Sequence, residues 1–237
     1  MSFLFRSSHL LNYFKIFINQ SSKNMINTIL FDMDGVICHT NPFHSKAFQV
    51  FFNKRNMNPT EAEFGQHMYG KSNSYIFSHF FGHPVEGEQL LAFEDEKESL
   101  FREIYANHIV PIEGFIPFLE LLVQKNYRLG VATSAPKANM DMIIDHLEIR
   151  HHFKSLMASE DVTIHKPNPQ VYLKSAENLN SLPNECMVFE DSYSGVSAAI
   201  NAEMRVVGVL SSHSQAELPP CDLYIKEYDS EVIMDSF

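Results

Sequence analysis

The sequence predicts an α/β protein: a doubly wound, Rossmann-like parallel sheet with a four-helix cap domain inserted after the first strand. Three observations carry this expectation. Short apolar runs recur at 26–31, 127–133, 155–159, 186–190 and 205–210. Helical stripes separate the later runs, the alternation that strand–helix–strand units produce. Between the first run and the second, residues 42–105 show helical spacing and no comparable strand.

Taken in order, INTILF (26–31) reads as a strand stopped by the polar loop DMDG. In the next stretch Ala47, Val50 and Phe51, and later Leu100, Phe101, Ile104 and Tyr105, repeat at helical intervals. Pro59, Gly70 and the turn at 82–84 divide it into four helices. Its phenylalanines, among them Phe48, Phe51, Phe52, Phe77, Phe80 and Phe81, read as the insert's own core. After Pro111 the alternation resumes. The stripe Phe115, Phe118, Leu119, Leu122 and Val123 precedes YRLGVAT, and Met140, Ile143, Ile144 and Leu147 precede SLMAS. Pro169 opens a helix with Tyr172, Ala176 and Leu179 on one face, followed by CMVFE. A helix over 196–202 leads into RVVGVL.

The expected domains are a core from 25–41 and 108–237 and a cap over 42–107. Residues 1–24 fall outside the fold. They hold Arg6, Lys15 and Lys23, several serines and no acid, the composition of an organellar transit peptide or of an extension ahead of a start at Met25. The expected location is cytoplasmic, or organellar if that segment is a transit peptide.

Composition excludes several classes. The chain has 237 residues, with 18 Lys and Arg against 29 Asp and Glu, a net charge of −11. A broad basic footprint for nucleic acid or anionic membrane is absent, so neither is an expected partner. No apolar run approaches the roughly eighteen residues that span a bilayer. The three cysteines make neither a disulfide framework nor a metal knuckle, which suits a reducing compartment. The expectation is a soluble monomer whose anionic ligand binds at a local site or through a metal.

In open parallel sheets, ligands bind beyond the carboxyl ends of the strands. The residues delivered there are Asp32 and Asp34, Thr133 and Ser134, Glu190 and Asp191, with Lys166 from a loop. Four carboxylates on one rim repel unless a cation sits among them. Hard oxygen donors without clustered His or Cys favour Mg²⁺ over zinc. Such a cation suits a phosphate oxygen, with Lys166, the Thr133 hydroxyl and helix-start N–H groups as further donors. The expected chemistry is phosphoryl transfer, with an aspartate as nucleophile. Each feature alone suits a turn, a cap or a solvated lysine; the ordered set does not.

From about residue 25 to 210 these motifs resemble the haloacid dehalogenase-like phosphohydrolase superfamily. The resemblance rests on DMDGVI (32–37), Thr133 after LGVA, Lys166 in HKPNP and EDS at 190–192. It implies hydrolysis of a small phosphorylated metabolite, such as a sugar phosphate, with Asp32 forming an aspartyl-phosphate and Asp34 as acid and base. Thr133 and Lys166 are the implied catalytic partners. Mg²⁺ is implied on Asp32, the Asp34 carbonyl and Asp191, with Glu190 acting directly or through water. Gly35 permits the tight loop and, with Ser134, borders the phosphate. In the β-phosphoglucomutase-like branch, His44 matches a histidine at the cap entry, and Lys71 in MYGKSN is a candidate substrate cation. Tyr69 and Asn73 stand where that branch carries lysine and arginine, so hydrolysis is expected over the mutase. A non-catalytic binding module is the remaining alternative. Glu203 stands where relatives often place glycine at a helix end.

Overall fold

The computed structural model describes residues 25–68 and 72–236. The expectations for residues 1–24 and for Lys71 lie outside them. Among the described residues, six strands form one sheet: β1 (Thr28–Phe31), β2 (Arg128–Ala132), β3 (Ser155–Met157), β4 (Cys186–Glu190), β5 (Arg205–Val209) and β6 (Leu223–Ile225). All pairs are parallel, in the order β3-β2-β1-β4-β5-β6. The first five strands fall on the apolar runs of the sequence. The sixth was not expected: an edge strand of three residues with only Ile225 buried has too little apolar pattern to stand out.

The chain winds outward from β1 through β2 to β3, then returns to the other side of β1 for β4. This reversal opens a crevice beyond the strand ends. Phe31 pairs with both Val131 and Phe189, so the residues that follow these strands emerge side by side.

Among the described residues, four helices of the insert follow β1: α1 (Asn41–Asn53), α2 (Glu61–His67), α3 (Asn73–Phe81) and α4 (Gly87–Tyr105). Local chemistry fixes their starts. Pro42 occupies the first turn of α1. Thr60 and Glu63 cap α2 reciprocally, and the Ser72 hydroxyl accepts from the Tyr75 N–H at α3. Arg55 ties the insert together: its guanidinium lies 3.7 Å over the Phe51 ring and forks onto Glu96 of α4 at 2.6 and 3.1 Å. Phe48, Phe51, Phe52 and Phe77 are buried, while Phe80 and Phe81 are partly so. Their cluster is not separate. It runs through Phe101 and Tyr105 to Phe115 and Phe118 against one face of the sheet.

The remaining helices are α5 (Phe115–Gln124), α6 (Lys137–His146), α7 (Gln170–Asn178), α8 (Tyr193–Asn201) and α9 (Ser230–Met234). Apolar residues of α5 and α6 cover the face that carries Phe31 and Phe189. Residues of α7 and α8 pack with Leu30, Val188 and Val206 on the other. Burial on both faces explains why the central strands read as continuous apolar runs. No helix among the described residues is long and apolar enough to cross a membrane.

Candidate active site

The chain leaves β1 at Asp32 and curls back at once. Gly35 N–H donates to the Cys38 carbonyl and Ile37 N–H to that of Met33, both at 2.8 Å. Gly35 holds a φ of +73°, and a Cβ there would overlap the Asp191 carboxylate. Glycine therefore lets the loop backbone lie directly against the acid that follows β4. The Tyr228 hydroxyl fastens the loop by donating to the Val36 carbonyl at 3.0 Å.

Lys166, from the loop before α7, reaches across three strand ends. Its ammonium donates to Asp32 Oδ1 at 2.6 Å, to Glu190 Oε1 at 2.7 Å and to the Ala132 carbonyl at 3.0 Å. Burial alone would push this ammonium down; Asp32 and Glu190 hold it well above its ordinary range.

Glu190 is gathered among protein donors at the end of β4. Its Oε1 also accepts from the Tyr172 hydroxyl at 2.9 Å, and Oε2 accepts from the N–H groups of Asp191 and Ser192 and from the Ser192 hydroxyl, each at 3.0 Å. Gly195 backs it, since a Cβ there would overlap the carboxylate. Held by these donors, Glu190 anchors Lys166 and the start of α8. Sequence reasoning missed Gly195 and placed Tyr172 on an apolar helix face. A tyrosine in an otherwise apolar stripe was the one available signal.

Asp191 is 5% exposed. The Ser212 hydroxyl donates to its Oδ2, and neighbouring Ser211 donates to the Gly35 carbonyl at 2.5 Å. These serines lie in the loop after β5 and belonged to no motif. Thr133 is buried, its N–H donating to the Met157 carbonyl at 3.0 Å and its Oγ1 accepting from the Ala135 N–H at 3.1 Å. Ser134, beside it, is exposed.

Asp34 faces the insert. His44 Nε2 lies 3.5 Å from Asp34 Oδ1, close enough to act through charge, yet this buried oxygen has no hydrogen-bond partner among the described residues. The His44 ring stacks on Phe101 at 3.8 Å, and its Nδ1 lies 2.9 Å from Lys97 Nζ. Burial pushes the Asp34 carboxyl up, but His44, Thr40 and Lys97 override it and leave it below the usual carboxylate range. Asp32 moves the other way. Burial, reinforced by Glu190 and Asp34, overcomes Lys166 and pushes it up to about 7. Asp191 is also held well above the ordinary carboxylate range, by burial, then by Glu190 and Asp32.

Two buried carboxylates, each disfavouring the other's charge, form a donor set that a hard divalent cation would relieve. Among the described residues, no three His, Cys, Asp or Glu side chains gather as a preformed metal cage. Two carboxylates with main-chain oxygen suit Mg²⁺, which keeps several water ligands, better than a fully protein-bound ion.

A doubly wound sheet with acids and a lysine gathered at its switch point defines an open α/β protein whose site lies beyond the strand ends. Residues 29–209 match the family model of the haloacid dehalogenase-like hydrolases, and the chain belongs to that family. A chloroplastic 5-amino-6-(5-phospho-D-ribitylamino)uracil phosphatase of Arabidopsis thaliana is 24% identical over 207 residues, 87% of this chain. The match spans 56% of that relative's length. A phosphorylated carbohydrates phosphatase of Thermotoga maritima is 28% identical over 198 residues, 79% of this chain and 87% of the relative. Among solved structures, a family IA, variant 3 hydrolase from Entamoeba histolytica superimposes with a TM-score of 0.81 at 26% identity. That match covers 89% of this chain and 99% of the other.

Proposed function

We propose that this protein is a Mg²⁺-dependent phosphatase of small phosphorylated metabolites, sugar phosphates among them, working through an aspartyl-phosphate on Asp32. The observation that carries this reading is the 2.6 Å contact between Lys166 and Asp32 at the end of β1, with Asp34 two residues on. Two relatives named as phosphatases of phosphorylated compounds support the same class.

In this reading Asp32 forms a bond to phosphorus as the bond to the leaving oxygen breaks, and Asp34, protonated once the negative phosphate lies beside it, delivers that proton to the leaving oxygen. Asp34, again a carboxylate, then takes a proton from water as its oxygen bonds to phosphorus. The bond to Asp32 breaks and inorganic phosphate leaves. Lys166 orients Asp32 and answers its charge, while the Thr133 hydroxyl and nearby N–H groups receive the phosphoryl oxygens. Asp32 and Asp191, with the Asp34 carbonyl, would hold Mg²⁺, which when bound neutralises the carboxylates and the phosphoryl group. Residues 42–107 form a cap over this site and bring His44 to Asp34; residues 25–41 and 108–237 form the core.

Phosphate release from an aryl phosphate and from a panel of sugar phosphates, with and without Mg²⁺, tests the reading. Turnover that chelation removes and Mg²⁺ restores is expected. Full activity in excess chelator, or in a folded Asp32→Asn variant, would overturn it.

A further inference from the structure

Beyond Asp34 lies a buried chain of polar side chains to which the proposed reaction gives no part. Lys97 Nζ donates to Glu98 Oε1 at 2.7 Å, and Glu98 Oε2 accepts from Asn139 Nδ2 at 2.7 Å. Arg102 Nη1 donates to Asn139 Oδ1 at 2.9 Å. Lys97, Glu98 and Asn139 are buried. Stability does not account for them, because a buried ion pair is often no better than apolar residues of similar volume. Their polar atoms answer one another, which leaves none to reach a substrate. What such a chain can do is fix the side chain at its end.

That side chain is His44. Its ring lies flat on Phe101, 3° from parallel. Stacking sets the plane of the ring but not its direction, because a half-turn leaves the plane unchanged. Lys97 makes that choice. An ammonium has only hydrogens to offer, so His44 Nδ1, 2.9 Å from Nζ, accepts. The ring proton then sits on Nε2. Nε2 lies 3.5 Å from Asp34 Oδ1, the buried oxygen without a hydrogen-bond partner among the described residues. Donor and acceptor thus face each other about half an ångström beyond hydrogen-bond length. Contacts of this kind tighten once substrate is bound. With Oδ1 engaged, Oδ2 is left to carry the proton that the leaving oxygen receives.

An ammonium on a flexible stem is placed only as firmly as its counter-charge. Glu98 supplies that charge through Oε1, and its Oε2 is pinned by Asn139. The Asn139 amide has one workable orientation, since its oxygen faces a guanidinium and its nitrogen a carboxylate. His44 lies in α1, and Lys97 and Glu98 in α4; Asn139 lies outside the insert, in α6. From this chain we infer that Asn139 is a positioning residue for proton transfer by Asp34, acting through Glu98, Lys97 and His44. The inference rests on the phosphatase reading and adds the residue that keeps its acid in line.

Two measurements test it. The first needs no catalysis. ¹⁵N spectra of histidine-labelled protein at about pH 8, above the ordinary imidazole range, report which ring nitrogen carries the proton. His44→Asn identifies the signal. Wild type should be protonated on Nε2, and Asn139→Leu, which keeps the bulk without the hydrogen bonds, should mix the tautomers. A proton on Nδ1 in the wild type, or an unchanged His44 signal in Asn139→Leu, would overturn the inference whether or not the protein is a phosphatase. The second compares kcat/KM for p-nitrophenyl phosphate and for the sugar phosphate hydrolysed fastest. This ratio covers only the steps up to departure of the leaving group, and a nitrophenolate needs far less help from an acid than a sugar oxygen does. Asn139→Leu should lower the sugar phosphate value on the order of tenfold and the aryl value less than about twofold. In a His44→Asn background it should lower neither further. Equal losses for both substrates, or the same loss in the His44→Asn background, would mark a structural role and overturn the inference. Glu98→Gln loosens the next link and carries the same comparison where Asn139→Leu does not fold. Turnover of neither substrate would instead remove the phosphatase reading, and this inference with it.

Discussion

The strand-end rim and the helical insert both bury charged groups, but they hold them differently. At the rim the backbone supplies much of the scaffold. Glu190 is gripped by two N–H groups, Lys166 by the Ala132 carbonyl, and Gly35 brings main chain against Asp191. Where the insert meets the core, the path from His44 through Lys97, Glu98 and Asn139 of α6 to Arg102 runs from side chain to side chain. Backbone donors are fixed by the fold and cannot be exchanged by substitution. Side-chain donors can. Substitution can therefore rewire the insert's network more readily than the rim's.

The largest effects should therefore come from the rim. Asp32→Asn removes the proposed nucleophile and should cut turnover on the order of 10⁴-fold or more. Asp34→Asn should cost roughly 10²–10⁴-fold. Steady-state phosphate release measures both, and circular dichroism establishes that the variants fold. Either variant retaining near wild-type turnover would break the division of labour.

A backbone-level change should tell next. Gly195→Ala drives a methyl group into the Glu190 carboxylate and displaces it from Lys166. Disrupting a buried ion pair in this way should destabilise the protein by about 3 kcal/mol or more, read from urea unfolding. A stability within 1 kcal/mol of wild type would show that the rim is more compliant than its packing suggests.

The same contrast explains what could be read from the sequence. The sheet was legible because strands buried on both faces are written as uninterrupted apolar runs, and β6 was not because an edge strand needs no such run. Asp32, Asp34, Thr133, Lys166 and Asp191 were found because strand order carries them to one rim. Ser211 and Ser212 escaped, since a serine pair in a loop has no pattern until β5 delivers it to Asp191. Lys97, Glu98 and Asn139 escaped as a cluster for a related reason. Lysine and glutamate on a helix read as a solvated face, and only the packing of α4 on α6 buries them.

Ser212 gives a smaller effect. Its hydroxyl orients Asp191, a proposed Mg²⁺ ligand, without being one itself. Loss of such an outer partner in Ser212→Ala should weaken Mg²⁺ binding about tenfold, measured by titration calorimetry. Unchanged affinity would mean that Ser211 and packing hold Asp191 without Ser212.

The smallest effect compares the two regions at matched positions, the ends of helices. In the insert, α3 ends at Gly82 with φ +72°, and a Cβ there would meet nothing within 4 Å. In the core, α8 is followed by Glu203 with φ +60°, the position where the sequence lacked an expected glycine. The backbone turns there all the same: Glu203 N–H donates to the Ile200 carbonyl at 2.9 Å and Met204 N–H to that of Ala199 at 3.1 Å. Holding a side-chain-bearing residue in this left-handed conformation costs roughly 1–2 kcal/mol, whereas glycine adopts it freely but gives up about 0.5–1 kcal/mol of unfolded-chain entropy. Glu203→Gly should therefore stabilise the protein by about 0.5–1 kcal/mol, and Gly82→Ala should destabilise it by a similar amount. Thermal melting should register each as a shift of about 1–4 °C, in opposite directions. Opposite shifts of similar size would mean that φ alone governs both ends. A lower melting temperature in Glu203→Gly would show that the Glu203 side chain gives the core end more stability than its backbone conformation costs.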